Sequence, residues 1–457
     1  MDEFRLRFVP LGGVVGVTKN MYLYELYKGG KLEDILIVDC GIGFPDTDLD
    51  VDYVIPDISY LKDKVSKIRA ILLSHGHEDH TMALPYYYKD LGEPPVYTGK
   101  LTTAFVKNDF REFGISIKIN EIDLKQTYSF GNFKVNFISM THSIPDTLHI
   151  FIKTPVGNIY HGTDFKLDLT PPYGKPPDFH TISRLSSEGA LCLLSDCLGA
   201  ETPGLTLSES AVGESFDSEI KSTPGKFIMT TFSSNISRIR QCIESSVKYQ
   251  RRIVFLGRSM KENTMIAREI GYLPFKNNIF LEDRSLIRTP SNKITLIVAG
   301  SQGQINSALT KLATDQNRNV KIGRGDKVFF SSDPIPGNEG EVYKLIEKLM
   351  IKGADVVYPD IKERLHASGH GNQDDLKFLI RLVGAKYLIP IGGTIRHQRQ
   401  YMKISKQLDY KEQDVFLLNE GESVWIDRDK MRMGERIKTK NIYVSKEGTL
   451  SDKIPLK

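Results

Sequence analysis

The sequence predicts an α/β protein in two parts, the second inserted into the first. Three observations carry that prediction. Short apolar runs with the length of buried strands recur along the chain. Four of them in the first two hundred residues deliver His or Asp at their C-terminal ends, where α/β folds place their chemistry. From about residue 208 the pattern changes to helical segments alternating with buried strands, the mark of a parallel sheet. At 457 residues the chain is also too long for one ordinary domain.

In chain order, Phe8–Val17 reads as a strand with a glycine turn, and Met21–Leu26 and Ile35–Cys40 as its partners. Tyr60–Ile68 reads as a short helix. Ala70–Leu73 is a wholly apolar strand leading into Ser74-His75-Gly76-His77-Glu78-Asp79-His80, and Thr81–Asp90 is a longer helix directly after it. Val135–Ser139 runs into His142, Asn158–His161 into Asp164, and Leu191–Leu194 into Asp196. The second part has strands at Phe227–Thr231, Ile253–Leu256, Ile294–Ala299 and Val328–Ser331, with helical spacing over Ser237–Gln250, Met260–Gly271 and Gln304–Ala313. Phe378–Val383, Tyr387–Ile391 and Val415–Leu418 then resemble the first part again. A discontinuous domain over 1–207 and 361–435 around an insert over 208–360 follows, and 436–457, which is polar, reads as a tail or residual linker.

A hydrophobic fraction of 40% with 26% charged residues is that of a soluble globular protein. No window approaches the roughly 18 apolar residues of a membrane span, and Met1-Asp2-Glu3-Phe4-Arg5 is no signal peptide. The 4 cysteines, Cys40, Cys192, Cys197 and Cys242, show no CxxC pair, which argues against a disulfide framework or zinc ribbon and suits buried thiols in the cytoplasm. The net charge of +4 permits a nucleic-acid groove without demonstrating one.

The chemistry concentrates at His75 to His80. A solvated acidic turn would account for Glu78 and Asp79, but not for three histidines in a chain that has 10. Imidazole and carboxylate are the ligands of borderline divalent metals, and Gly76 gives the backbone room to bend between His75 and His77. His142 and Asp164 are further candidates from other strand ends. One cation falls to His75, His77 and His142, a second to Asp79 and His80, with Asp164 bridging. Two ions so spaced share a hydroxide and bind phosphoryl oxygens. Asp196 either orients a liganding imidazole or caps a turn.

His75-Gly-His-Glu-Asp-His80 is the HxHxDH signature of the metallo-β-lactamase superfamily. With Lys19-Asn-Met-Tyr22, Val54-Ile-Pro-Asp-Ile-Ser-Tyr60, His142-Ser-Ile-Pro-Asp146, Gly162-Thr-Asp-Phe-Lys-Leu-Asp168, Gly257-Arg-Ser-Met260, Gly300-Ser-Gln-Gly303, Pro334-Ile-Pro-Gly-Asn338 and His366-Ala-Ser-Gly-His370, the chain resembles the ribonuclease J family of the β-CASP branch from about residue 8 to 435. The resemblance implies a metallo-β-lactamase αββα sandwich interrupted by an α/β parallel-sheet β-CASP domain, with single-stranded RNA in the cleft between them. It implies metal ligands at His75, His77, Asp79, His80, His142 and Asp164, with zinc expected and manganese as the alternative, and an acidic position at Asp196. The family's HxSGH motif falls on His366, Ser368 and His370. His370 then stabilises the pentavalent phosphorus or protonates the leaving oxygen. His366, Ser368 and Gly369, with Ser331 and the Pro334–Asn338 loop, resemble a pocket for a nucleotide monophosphate, where Gly337, Gly369 and Gly371 let backbone N–H groups approach phosphate. Among the basic residues of the insert (Arg238, Arg240, Arg251, Arg252, Arg258, Arg268, Arg284, Arg288), which could track an RNA backbone, only Arg258 is singled out, most reading as solvated helix faces. Phe44 either stacks on a base or is a core aromatic.

One departure stands out. Where the resemblance implies a Pro-Ile-His-Gly-Glu segment with a further metal ligand, this chain has Pro390-Ile-Gly-Gly-Thr394, so the ligand position is Gly392. Asp79, His80 and Asp164 remain, and three protein ligands plus water still make a catalytic-type zinc site. Two ions are therefore expected, the second weakened. His397 substitutes only if its helix points it inward. The family's C-terminal assembly domain has no counterpart up to residue 457, so a homodimer, or a hetero-oligomer with a related ribonuclease, is expected in place of a tetramer. The reading is a metal-dependent 5′-3′ exo- and/or endonuclease of RNA processing or decay, using a metal-activated water, cytoplasmic and without a membrane partner. The alternative, motivated by Gly392, is a catalytically weakened RNA-binding paralogue that partners an active ribonuclease. A small-molecule hydrolase of the same superfamily is disfavoured by the insert.

Overall fold

Side chains that alternate between two buried faces build the first two sheets. In the strands Phe4–Gly12 and Met21–Lys28, Leu6, Phe8, Tyr22 and Tyr24 point into one core while Val9, Leu11, Met21 and Leu23 point into another. The computed structural model describes residues 3–45, 51–335, 337–428 and 430–453, and the statements below concern those residues. Pro336, the side chain of Arg284 and the last four residues of the expected tail lie outside them.

The first sheet orders its strands Lys430–Met433, Val424–Asp427, Phe4–Gly12, Met21–Lys28, Lys31–Val38, Ile68–Leu72, Val96–Thr98 and Ile119–Glu121. The second runs Tyr387–Ile391, Ala190–Asp196, Gly157–His161, Thr147–Thr154, Phe133–Met140 and Thr127–Phe130. Their facing sides share one core that includes Phe8, Leu36, Leu72, Phe137, Ile150, Leu194 and Ile389, each such side chain contributing about 1.5–3 kcal/mol on burial. Helix Lys100–Glu112 covers the outer face of the first sheet, and Phe179–Ser186, Gln373–Val383 and Ile395–Gln407 that of the second. The result is the expected four-layer sandwich.

The insert is a parallel sheet in the order Arg252–Leu256, Ile294–Val298, Phe227–Thr230, Lys327–Phe330 and Asp355–Val357. Helices Ser210–Ser222, Ile236–Lys248 and Arg258–Glu269 cover one face, and Ala308–Ala313 and Glu339–Ile351 the other. Leu101, Phe105 and Ile144 of the sandwich bury among Val212, Phe216 and Ile236 of the insert, so the two parts share a core.

Several local expectations are corrected. Tyr60–Ile68 is no helix: two 3-10 turns, Ser59–Leu61 and Val65–Lys67, lead into a strand that already begins at Ile68. Thr81–Asp90 splits into Glu78–Thr81 and Leu84–Tyr87, because Pro85 suits a first turn and not a helix interior. The helix expected over Gln304–Ala313 starts only at Ala308, where the Ser307 side chain accepts the Thr310 N–H. Phe378–Val383 is helical, and Val415 makes only a bridge to Leu388. The expected tail is in part docked: Ile442–Val444 pairs with Tyr53–Ile55, and Ile437 and Val444 are buried. No helix is long and apolar enough to cross a membrane.

Candidate metal centre

The parallel strand Ile68–Leu72 ends under the sandwich edge, and the chain then turns through His75 and His77 into the short helix Glu78–Thr81. His142, Asp164 and Asp196 arrive from the ends of three strands of the second sheet. His75 Nε2 and His142 Nε2 stand 3.0 and 3.2 Å from His77 Nδ1. Nitrogens on a tetrahedral zinc at about 2.0–2.1 Å are roughly 3.3 Å apart, so this trio fits one ion with little adjustment. Asp164 Oδ2 lies 3.4, 3.7, 3.9 and 3.9 Å from the Nε2 atoms of His80, His142, His75 and His370. Those separations are too long for ordinary hydrogen bonds and right for ligands that share a cation. His80 Nε2 is 3.5 Å from Asp79 Oδ2, which makes Asp79, His80 and Asp164 a second group, and Asp164, Asp196 and His370 form a third.

Burial and then the neighbouring imidazoles push the pKa of His75 well down, burial takes His77 to about 3, and burial with His77 lowers His142, so these three are neutral and offer lone pairs. His80 behaves oppositely: burial disfavours its charge, but Asp79, Asp164 and Asp39 outweigh that and raise its pKa. His142 Nδ1 donates to the Gly369 carbonyl at 2.6 Å, which directs Nε2 at the cluster. A Cβ at Gly369 would meet His142 Cε1 at 2.7 Å, so only glycine allows that approach. His370 Nδ1 donates to Asp196 at 2.7 Å; burial lowers the His370 pKa, but Asp196 and Asp164 carry it up to about 9. The other Asp196 oxygen takes the Leu198 N–H in the turn that follows, so this carboxylate bridges an imidazole and a turn.

Two orienting residues escape the sequence reading. Asp39 accepts from His80 Nδ1 at 2.7 Å and from the Ser74 N–H and hydroxyl at 2.7 and 2.8 Å. Asn20 Nδ2 lies 3.0 Å from His80 Nε2 and 3.2 Å from Asp79 Oδ2. The signal for Asp39 was present, since Ile35-Leu-Ile-Val-Asp39 is one more apolar strand ending on a carboxylate.

Comparison with known proteins places this arrangement. Residues 15–193 match the metallo-beta-lactamase superfamily and residues 224–349 the ribonuclease J beta-CASP domain. Ribonuclease J 1 of Streptococcus pyogenes serotype M3 is 36% identical over 441 residues, covering 96% of this chain and 77% of that protein. Ribonuclease J2 of Bacillus subtilis is 35% identical over 442 residues, covering 96% and 78%. The chain belongs to the ribonuclease J family. A crystal structure of a protein of unknown function from Enterococcus faecalis V583 shares the fold, with a TM-score of 0.66 at 16% identity, over 92% of this chain and 100% of that one. This ribonuclease J relative is a metal-dependent ribonuclease, and the family favours that reading over a catalytically weakened RNA-binding paralogue.

The ribonuclease does not bring every expected residue to the centre. Gly392 does face it: a Cβ there would stand 3.3 Å from Asp196 Oδ1 and 3.6 Å from Asp164 Oδ1. His397 does not replace the absent side chain, because its Nδ1 bonds the Thr394 N–H and hydroxyl at 3.2 Å and its Nε2 faces Glu201 at 3.5 Å. Ser331 is fully buried and donates to the Leu365 carbonyl at 2.7 Å, so its side chain holds the loop and does not meet RNA directly. The Ser368 hydroxyl accepts the His370 N–H. Arg258 lines a cleft of about 810 Å³ between sandwich and insert, beside Glu78, Lys311 and Arg318, but is already paired with Glu112 at 2.5 Å and Glu262 at 3.0 Å. Phe44 is 49% exposed, which removes the core alternative. Arg238 and Arg251 are not solvated helix faces: both are buried and hold backbone carbonyls, Arg238 without any exposure.

Proposed function

We propose that the cluster around Asp164 is the catalytic centre for RNA hydrolysis, with residues 208–360 as the domain that closes the RNA cleft over it. The supporting observation is the convergence of four imidazole Nε2 atoms on one carboxylate oxygen at 3.4–3.9 Å. His75, His77 and His142 would hold one divalent cation and Asp79 and His80 another, Asp164 lying between, with zinc suiting the three-nitrogen half and manganese the alternative. Cations held there supply Lewis acidity toward phosphoryl oxygens and lower the pKa of water. Asp196 orients His370 through Nδ1, leaving Nε2 toward the cluster. As an imidazolium, His370 donates its Nε2 proton to the leaving 3′-oxygen. Arg258 contributes little affinity, since phosphate must compete with two carboxylates for it. Four buried, unpaired cysteines suit a cytoplasmic setting.

The test is RNA hydrolysis by purified protein in zinc or manganese, set beside Asp79→Ala and His80→Ala. Wild type is expected to cleave and the variants to lose at least about 10²-fold; equal inertness of all three would remove the catalytic assignment. Products from a 5′-monophosphorylated strand and from a circular one separate the mode: mononucleotides from the former alone mean exonuclease, fragments of the latter endonuclease.

A further inference from the structure

Arg238 is the largest side chain with no solvent exposure, and it sits where sandwich, insert and the loop after Leu365 meet. Its five N–H donors are each accounted for. Nε donates to Glu209 Oε1 at 2.7 Å, Nη2 to Glu209 Oε2 at 2.7 Å and to the Ala367 carbonyl at 3.0 Å. Nη1 donates to the Ser331 carbonyl at 2.8 Å and lies 2.5 Å from His366 Nδ1. A guanidinium stays protonated and has no acceptor. His366 Nδ1 must therefore accept, since a proton there would set two donors face to face in a buried site. The Ser331 carbonyl, 3.3 Å from Nδ1, offers no competing home for that proton because it already takes Arg238 Nη1 and the Thr231 hydroxyl.

We propose that Arg238 is a positioning residue that locks His366 in the Nε2–H tautomer, so that the loop presents one neutral donor to a phosphate oxygen of the RNA. The recognition step rests on the ribonuclease reading above; the tautomer does not. Burial and the adjacent Arg238 also depress the His366 pKa to about 3, so no second proton joins at neutral pH. Nε2 faces Asp333 at 3.5 Å, and that carboxylate is half-exposed, so a bound phosphate replaces it without unburying anything. The same guanidinium holds the Ala367 carbonyl, two residues before the Gly369 carbonyl that orients His142. A neutral donor adds affinity and direction without a charge that varies over working pH. Its loss is read in KM.

Nitrogen-15 spectra of histidine-labelled protein, with His366 assigned through His366→Ala, decide the tautomer directly. The expected result is an unprotonated Nδ1 and a protonated Nε2, unchanged from pH 6 to 8; an Nδ1–H in wild type overturns the proposal. Arg238→Lys keeps a charge beside Glu209 but cannot place five donors. It should let Nδ1 protonate and raise KM for single-stranded RNA about tenfold, with kcat within about twofold. An unchanged tautomer and KM in that variant also overturn the proposal. Should Arg238→Lys fail to fold, His366→Gln, which retains a neutral N–H donor, is expected to keep KM close to wild type while His366→Ala raises it; equal values sink the donor role. Absence of hydrolysis by wild type would remove the ribonuclease reading and leave the spectral result standing.

Discussion

The buried cluster around Asp164, gathered at strand ends, and the buried cluster around Glu209, a helix N-cap facing Arg238 of the next helix, differ in how their carboxylates are bonded. Around Glu209 every group is satisfied: both carboxylate oxygens take Arg238 at 2.7 Å, and Lys166 adds a third contact at 3.3 Å. Around Asp164 four imidazole Nε2 atoms stand 3.4–3.9 Å away, those of neutral His75 and His142 among them, at the spacing of groups that share a cation. Burial opposes the Asp164 charge, but His80 and His370 outweigh it and hold that carboxyl well below its ordinary range. The open spacing at the first centre makes it the candidate for divalent cations, whereas the second is closed by its own side chains.

The largest effects should separate the two centres. His77→Ala is expected to lose one equivalent of metal and at least about 10²–10³-fold in hydrolysis, with the apoprotein as stable as wild type. Arg238→Met leaves buried Glu209 with only the 3.3 Å contact to Lys166 and should cost about 3 kcal/mol of stability, seen in denaturant titration of the apoprotein. If His77→Ala unfolds the apoprotein as readily as Arg238→Met, the distinction between the open and the closed centre fails.

Legibility in the sequence follows the same divide. The candidate ligand cluster is readable because strand ends gather it locally: His75 to His80 lie within one turn and its flank, and His142 and Asp164 each follow an apolar run. The saturated centre is not, because Glu209, Arg238, Ser331 and Ala367 meet only through tertiary packing and an isolated arginine on a helix is usually solvated. The strand Ile442–Val444 was missed for a related reason. Its partner, Tyr53–Ile55, is nearly four hundred residues away, so nothing local distinguishes it from a polar tail. Gly392 stands out in the sequence by pattern alone, and its backbone conformation is visible only in the structure.

Acid should dismantle the saturated centre. Burial opposes the Glu209 charge, yet Arg238 and Lys166 hold its pKa down to about 2, against about 4.3 in an unfolded chain. A depressed carboxylate stabilises the fold above the unfolded value, and that contribution disappears as pH falls from about 4.3 through 2, on the order of 3 kcal/mol in all. Glu209→Gln should flatten the stability profile of the apoprotein across that window. An unaltered slope would assign the acid sensitivity elsewhere.

Smaller effects probe the weaker half of the metal centre. Asp39→Asn removes the carboxylate that orients His80 and should reduce affinity for the second equivalent of metal about 10–100-fold. The first equivalent, assigned in our proposal to His75, His77 and His142, none of which Asp39 contacts, should titrate as before. Calorimetric titration with zinc resolves the two, and equal weakening of both would mean that the halves act as one site.

The finest test is at Gly392, whose φ of +65° is a conformation L side chains adopt at a cost of about 1–2 kcal/mol. Gly392→Ala and Gly392→His both bear that strain, so the difference between them isolates the imidazole. An added Cβ would stand 3.3 Å from Asp196 Oδ1 and 3.6 Å from Asp164 Oδ1, close enough for a longer side chain to reach a shared cation. Histidine at that position should bind the second equivalent more tightly than alanine does, with little change in melting temperature between the two. If the two variants bind metal alike, the space beside Asp164 is not a ligand position in this chain, and the second cation depends on Asp79, His80 and Asp164 alone.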